Sequence, residues 1–244
     1  MKSFYLTDAG KVRSHNEDSV IIVRNQNDDY LLAVADGMGG HNAGEVASST
    51  AVEVVKGELE KTIDVKEHDK IVYNIMSSID YANTKVYDLS RQDISKAGMG
   101  STFVAAYVVD DKIYVANIGD SRAYLITKDE TIQITVDHSV VQELVERGSI
   151  TIEEAAVHPD KNIITRALGT EKFVDADFFE YSLKVGDYIL LCSDGLSEMV
   201  ESSLFSETLE KTEEIEDAAK ELVRVANENG GRDNITIIIL KCVE

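Results

Sequence analysis

The chain is poor in proline, cysteine, positive charge and long apolar runs, and each shortage narrows what it is. Proline occurs once, at Pro159, in 244 residues. Cysteine occurs twice, at Cys192 and Cys242, each inside an apolar run. That placement suits buried thiols rather than a disulfide framework. No run of eighteen apolar residues is present, so no membrane-spanning helix is expected. The opening Met1-Lys-Ser-Phe-Tyr-Leu-Thr-Asp8 lacks the apolar stretch of a secretory signal, and a cytoplasmic location is the expectation. Lys and Arg number 24 against 45 Asp and Glu, a net charge of −21. Such a balance disfavours nucleic acid or an anionic membrane as the main partner. The phosphate-loop pattern ending in Gly-Lys-Ser/Thr is missing. So is the Asp-x-Asp-x-Asp-Gly loop of calcium modules.

What is present is a globular composition, 43% hydrophobic, on a chain long enough to bury a substantial core. No internal repeat or low-complexity linker divides it, so residues 1–244 are read as one domain. Its most informative stretch is Ala33-Val-Ala-Asp-Gly-Met-Gly-Gly-His-Asn-Ala-Gly44, where an apolar run from Tyr30 ends in Asp36. Taken alone, Asp36-Gly37 reads equally well as a hairpin turn. Recurrence changes the weighting. Val185 to Gly195 is a second apolar run closing in Asp-Gly, at Asp194; Ile113 to Asp120 is a third closing in Asp; and Asp233 immediately precedes a fourth, to Leu240. In an antiparallel sheet the end of one strand lies beside the start of the next. Asp36, Asp120, Asp194 and Asp233 are therefore expected at one rim. Two such charges ~4 Å apart repel by about 4 kcal/mol at an effective dielectric near 20. Cations or protons must offset that, and an all-oxygen ligand set suits Mg²⁺ or Mn²⁺.

Between these runs the pattern alternates between strands and helices. Strands are expected at about 3–7, 20–23, 30–35, 102–109, 112–118, 121–127, 130–135, 178–183, 188–193 and 235–242. Asn42, with Glu45 as its box partner, is expected to cap a helix running to Leu59. Further helices are expected at about 69–89, 140–147, 151–156, 197–200, 202–211 and 215–229. Strands in hairpin succession with two separate helical groups suggest two packed antiparallel sheets with helices outside each. Residues from about 137 to 170 interrupt the strands and read as a flap near the site; His138, at a helix start, reads as structural rather than catalytic. Arg13, Glu17 and Asp18 lie just before a strand. They are either an exposed ion pair of little energetic consequence or a guanidinium held near carboxylates, suited to a tetrahedral oxyanion.

The set Arg13…Asn16-Glu-Asp18, Asp36-Gly-Met-Gly-Gly40, Gly119-Asp-Ser-Arg122, Asp194-Gly195 and Gly231-Arg-Asp-Asn234 resembles the PPM/PP2C metal-dependent Ser/Thr protein phosphatases, in the order of the bacterial single-domain members. The resemblance covers about residues 3–242. It implies an α+β fold, a four-layer α-β-β-α sandwich of two antiparallel sheets flanked by helices. It implies two Mn²⁺ or Mg²⁺ ions, with a third, weaker ion in bacterial relatives. By position Asp36 resembles the carboxylate bridging both ions and Gly37 a backbone carbonyl ligand. Asp194 and Asp233 resemble ligands of the second ion, Glu17 and Asp18 water-mediated ligands, and Asp120 a holder of the third. Arg13 resembles the phosphate binder, and Asn234 a support of the Asp233 loop. Arg13, Asp36, Asp194 and Asp233 are thus the expected catalytic set. The implied reaction is hydrolysis of phosphoserine and phosphothreonine by a metal-activated water. Cys192 lacks the Cys-x5-Arg loop of a phosphocysteine route. The implied partners are phosphoproteins and a cognate Ser/Thr kinase, for a monomeric enzyme. Small phosphate esters are an alternative substrate class, and a catalytically silent scaffold an alternative role. Some family members carry a histidine, proposed as leaving-group acid, where this chain has Met38.

Overall fold

A computed structural model describes residues 1–40 and 43–243. The first sheet runs β1 (Lys2–Asp8), β11 (Ile235–Lys241), β10 (Tyr188–Cys192), β7 (Arg122–Ile126), β8 (Thr131–Gln133). The second runs β2 (Asp18–Arg24), β3 (Tyr30–Met38), β5 (Phe103–Val109), β6 (Lys112–Ile118), β9 (Asp177–Ser182), with β4 (Gly100–Ser101) paired to the end of β3. Every ladder is antiparallel. Helices α1 (Ala43–Leu59) and α2 (His68–Gln92) cover the second sheet. Helices α5 (Asp194–Ser197), α6 (Ser203–Lys211) and α7 (Ile215–Glu228) cover the first. Two short helices, α3 (Val140–Glu146) and α4 (Ile152–Ala156), stand between β8 and β9. The result is the four-layer α-β-β-α sandwich that the resemblance implies.

Side-chain period explains the layering. Successive residues of a strand face opposite ways. Leu31, Ala33 and Ala35 of β3 pack on Ala47, Ala51 and Val55 of α1 and Ile75 and Ile79 of α2. Leu32 and Val34, the intervening residues, enter the layer between the sheets with Ile189, Leu191, Ile238 and Leu240. The first sheet's other face sends Leu190, Ile237 and Ile239 against Phe205, Ala219 and Leu222. A strand buried on both faces cannot show polar alternation, which is why β5, β10 and β11 read as continuous apolar runs. The thiols of Cys192 and Cys242 are free and buried.

Of the two readings of Asp36-Gly37, the hairpin turn is excluded, because β3 continues to Met38 and pairs Gly37 with Ser101 and Met38 with Gly100. Two local expectations are corrected. The helix after β10 begins at Asp194 rather than Ser197, with the Glu198 N–H returning to the Asp194 carbonyl. A single turn of helix is too short for periodicity to locate. Helix α2 extends the expected span at both ends. Asn42, the expected cap of α1, lies outside the described residues; α1 itself is anchored by Ser48, whose hydroxyl donates to the Glu17 carbonyl. The Asp110-Asp111 turn is a hairpin as expected, with Asp110 at φ 54°.

Candidate metal centre

The ends of β3, β6 and β10 and the starts of β2 and β11 meet at one end of the sandwich. Asp18 and Asp36 are direct cross-strand partners. Asp120 follows β6, Asp194 follows β10 and Asp233 precedes β11. A cleft of about 270 Å³ there is lined by Arg13, Glu17, Asp36, Gly37, Asp120, Asp194 and Asp233, together with Met38, Thr102, Asn162, Ile164 and Asn234. Asp18 contributes to the field behind it: burial and the charges of Asp194 and Asp233 act on its carboxyl. The eight residues singled out by sequence therefore belong to one place.

The backbone around them leaves no slack. A Cβ on Gly37 would stand 2.1 Å from the Gly44 carbonyl oxygen and 2.7 Å from that of Glu17. One on Gly195 would stand 2.0 Å from the Asn234 carbonyl oxygen. Glycine in each Asp-Gly pair is needed for this close approach of chains. Asp36 is held at both ends of its peptide unit. Its N–H donates to Thr102 Oγ1 at 2.9 Å, and its carbonyl accepts from the Thr102 N–H and the Ser101 hydroxyl, each at 2.9 Å. Ser193 donates its hydroxyl to Asp18 Oδ2 at 2.8 Å. Thr102 and Ser193 were not evident from sequence. The only local signal is their position at a strand end beside glycine or aspartate.

Asn234 reaches beyond the Asp233 loop. Its side chain accepts from the Glu17 N–H at 2.8 Å and donates to the carbonyls of Ala9 at 3.1 Å and His15 at 2.9 Å. It thus ties down the segment carrying Arg13 and Glu17, and only its own N–H, donating to Asp233 Oδ1, serves the Asp233 loop. Asn234→Ala leaves three backbone groups without these partners. At ~1 kcal/mol for each lost bond, the cost is about 3 kcal/mol. Urea unfolding is expected to show that loss.

The electrostatics are those of crowded, dry carboxylates. Burial, then the charge of its neighbours, pushes Asp18 and Asp120 up to about 7 and Asp194 up to about 6. Asp36 is raised well above the ordinary carboxylate range by burial and by Asp18, Asp194, Asp233 and Asp120. Burial also raises Glu17. Three oxygens in this group, Glu17 Oε1, Asp18 Oδ1 and Asp194 Oδ1, are buried without a hydrogen-bond partner. An unsatisfied buried acceptor is costly, more so when charged. A hard cation, bound directly or through its own water ligands, is the chemistry that satisfies such oxygens. The donor set fits Mg²⁺ or Mn²⁺. Among the described residues, no three His, Cys, Asp or Glu side chains are already closed around a common ion position. Arg13 reaches Asp233 Oδ2 at 2.7 Å from a half-exposed position on the rim.

With this geometry described, similarity to known proteins becomes informative. The family model described as Protein phosphatase 2C matches residues 4–235. The chain is 38% identical over 241 residues to the serine/threonine phosphatase stp of Listeria innocua, covering 99% of this chain and 96% of that protein. It is 37% identical to the protein phosphatase PhpP of Streptococcus pneumoniae, covering 100% and 98%. Among solved structures, the S. agalactiae serine/threonine phosphatase superposes with a TM-score of 0.94 at 38% identity, covering 100% and 99%. The catalytic domain of the phosphatase PstP, solved in complex with two manganese ions, superposes with a TM-score of 0.87 at 34% identity, covering 100% and 98%. Fold, strand-end carboxylates and relatives agree, and the chain belongs to the protein phosphatase 2C family as a protein-serine/threonine phosphatase.

Proposed function

We propose that this enzyme hydrolyses phosphoserine and phosphothreonine with two Mn²⁺ or Mg²⁺ ions held in the cleft between the sheets, and a third bound more weakly. The observation that carries the proposal is the group of three unpartnered, buried carboxylate oxygens at one strand-end cleft. Asp36, the Gly37 carbonyl, Asp194 and Asp233 would hold the two main ions, Asp120 would contribute to the third, and Glu17 and Asp18 would support them from nearby. When bound, the ions supply Lewis-acid charge and a water that ionises near neutral pH. The PstP domain with its two manganese ions supports the count.

The chain's own residues do the rest. Asp36, already fixed through its backbone by Thr102 and Ser101, presents its carboxylate without further ordering. Arg13 hands over from Asp233 to the phosphoryl group and neutralises charge spread on the phosphoryl oxygens. Its forked guanidinium offers two parallel hydrogen bonds, which a lysine does not. Arg13→Lys is therefore expected to raise KM for a phosphothreonine peptide by about tenfold, the ~1.4 kcal/mol scale of one charge-assisted bond. Steady-state kinetics check this, and an unchanged KM removes Arg13 from phosphate binding. Met38 has no proton to give a leaving alkoxide, so this position supplies no acid.

Residues 1–244 are read as one catalytic domain, with 137–170 as a flap whose Asn162 and Ile164 line the cleft. Phosphoproteins are the substrates, and a cognate Ser/Thr kinase is the partner whose action the enzyme reverses. The reading includes a monomeric, cytoplasmic enzyme. Among the described residues no helix is long and apolar enough to cross a membrane. The direct test is hydrolysis of a phosphothreonine peptide by metal-stripped enzyme, with and without Mn²⁺. Activity restored only by the ion supports the reading, and full turnover in chelator defeats it.

A further inference from the structure

The Asp120 carboxylate hangs on an unusual turn. Gly119 sits at φ +100°, and a Cβ there would stand 2.7 Å from Thr102. A conformation open only to glycine needs outside support to aim the next side chain. One residue supplies most of that support. The His138 backbone N–H donates to the Gly119 carbonyl at 3.0 Å, and His138 Nδ1 accepts from the Gly119 N–H at 3.1 Å. Both polar groups of the glycine are thus held by a single histidine, which is itself buried. The Asn117 side chain adds a longer bond to the same carbonyl, 3.2 Å.

The far side of the ring faces a different element. With Nδ1 accepting, a neutral ring carries its proton on Nε2, which lies 3.2 Å from both Asp177 Oδ2 and Arg166 Nη1. Arg166 holds the other oxygen of Asp177 at 2.7 Å. The His138 carbonyl accepts from the Thr165 N–H at 2.7 Å. His138 therefore stands between the turn that carries Asp120 and the 162–170 segment that reaches the cleft through Asn162 and Ile164.

We propose that His138 is a positioning residue: its Nδ1 contact fixes the Gly119 turn so that Asp120 faces the cleft, and so sets the affinity of the most weakly held divalent ion. The inference rests on the metal reading of the cleft given above. It assigns His138 no contact with substrate or with the reacting atoms.

Two near-isosteric variants separate the two sides of the ring. In His138→Asn the amide oxygen replaces Nδ1 and keeps the Gly119 contact. In His138→Gln the amide nitrogen replaces Nε2 and keeps the Asp177 contact. Metal-stripped full-length protein is titrated with Mn²⁺ alone, followed by calorimetry and by the electron paramagnetic resonance signal of free Mn²⁺, with Asp120→Asn as reference. The wild type is expected to show two tighter ions and one weaker. His138→Gln is expected to weaken the last at least tenfold, leave the tighter pair unchanged, and match Asp120→Asn. His138→Asn is expected to bind like the wild type within about twofold. Wild-type binding by His138→Gln, or equal damage in both variants, overturns the proposal while leaving the metal reading intact. No Mn²⁺ binding by the wild type overturns the metal reading and this proposal with it. Thermal melts confirm folding of each variant. If His138→Gln does not fold, His138→Leu, which fills the space but offers no acceptor, takes its place under the same criterion.

Discussion

Asp36→Asn is expected to cut phosphothreonine-peptide hydrolysis by ~10³-fold or more while making the metal-free protein more stable. The activity loss is the ~4 kcal/mol scale of removing one charged group at a reacting centre. The stability gain follows from what surrounds Asp36. It is buried against Asp18, its cross-strand partner, and in the field of Asp194, Asp233 and Asp120. Asparagine keeps the shape and removes the charge. Its amide also supplies a donor beside carboxylate oxygens that lack one, such as Asp18 Oδ1 and Asp194 Oδ1. Relief of even 1–2 kcal/mol raises the melting temperature of a chain of this size by roughly 2–8 °C. Adding Mn²⁺ should reverse the order, because only the wild type gains the full binding energy. Thermal melts with chelator and with Mn²⁺ check both halves. A variant less stable than the wild type in chelator would show that Asp36 is held by favourable contacts instead of repulsion.

The second large effect is a change in the sign of the pH dependence of stability. In chelator, the wild type is expected to grow more stable as pH falls from 8 toward 5. The carboxyls of Asp18, Asp120 and Asp194 have folded-state pKa values raised to about 7, about 7 and about 6, with burial the first cause. The unfolded chain titrates near 4. Between those limits the native state binds more protons than the unfolded state, so stability declines as pH rises through the window. It levels off above about pH 7. Carboxyls with lowered values, such as Asp28 beside the N-terminal amine and Asp177 between His138 and Arg166, act in the opposite sense only at lower pH. With saturating Mn²⁺ the trend should invert, since metal binding requires the deprotonated ligands. A difference on the order of 5–10 °C between pH 5 and pH 8 in chelator is expected. Asp36→Asn, with one fewer charge in the cluster, should show a shallower slope. That comparison separates the cluster from general relief of the net charge of −21. A flat profile in chelator would mean that the cleft carboxylates are not desolvated in solution.

Both effects have one origin. The fold concentrates charge where it also removes water, so the cost of the cluster is expected to fall when a divalent ion is added. Arg13, on the exposed rim, pairs with Asp233 and offsets part of that charge.

Part of this was readable along the chain. An acidic residue ending or opening a buried apolar run is a positional signal, and Asp36, Asp120, Asp194 and Asp233 each carry it. The runs themselves, with hairpin spacing such as Val109 to Lys112, imply antiparallel sheets. Hydrophobic periodicity places α7 through Ala218, Ala219, Leu222, Val223 and Ala226, because a helix lying on a sheet must show one apolar face. These are properties of a residue and its near neighbours, and sequence records them directly.

The rest depended on residues far apart in the chain, and only packing brings those together. The pairing of Phe4 with Ile239 and the tie from Asn234 to Ala9, His15 and Glu17 span nearly the whole length. The same holds for Thr102 beneath Asp36 and Ser193 beneath Asp18. Hydroxyl and amide side chains have no fixed partner in sequence, because their choice of bond is made by whichever backbone group is left buried and unsatisfied nearby. Amino-acid order thus determined which strands exist and where the carboxylates stand on them. The tertiary structure decided which oxygens are deprived of water and partners, because desolvation belongs to the surroundings of a group and not to the group itself.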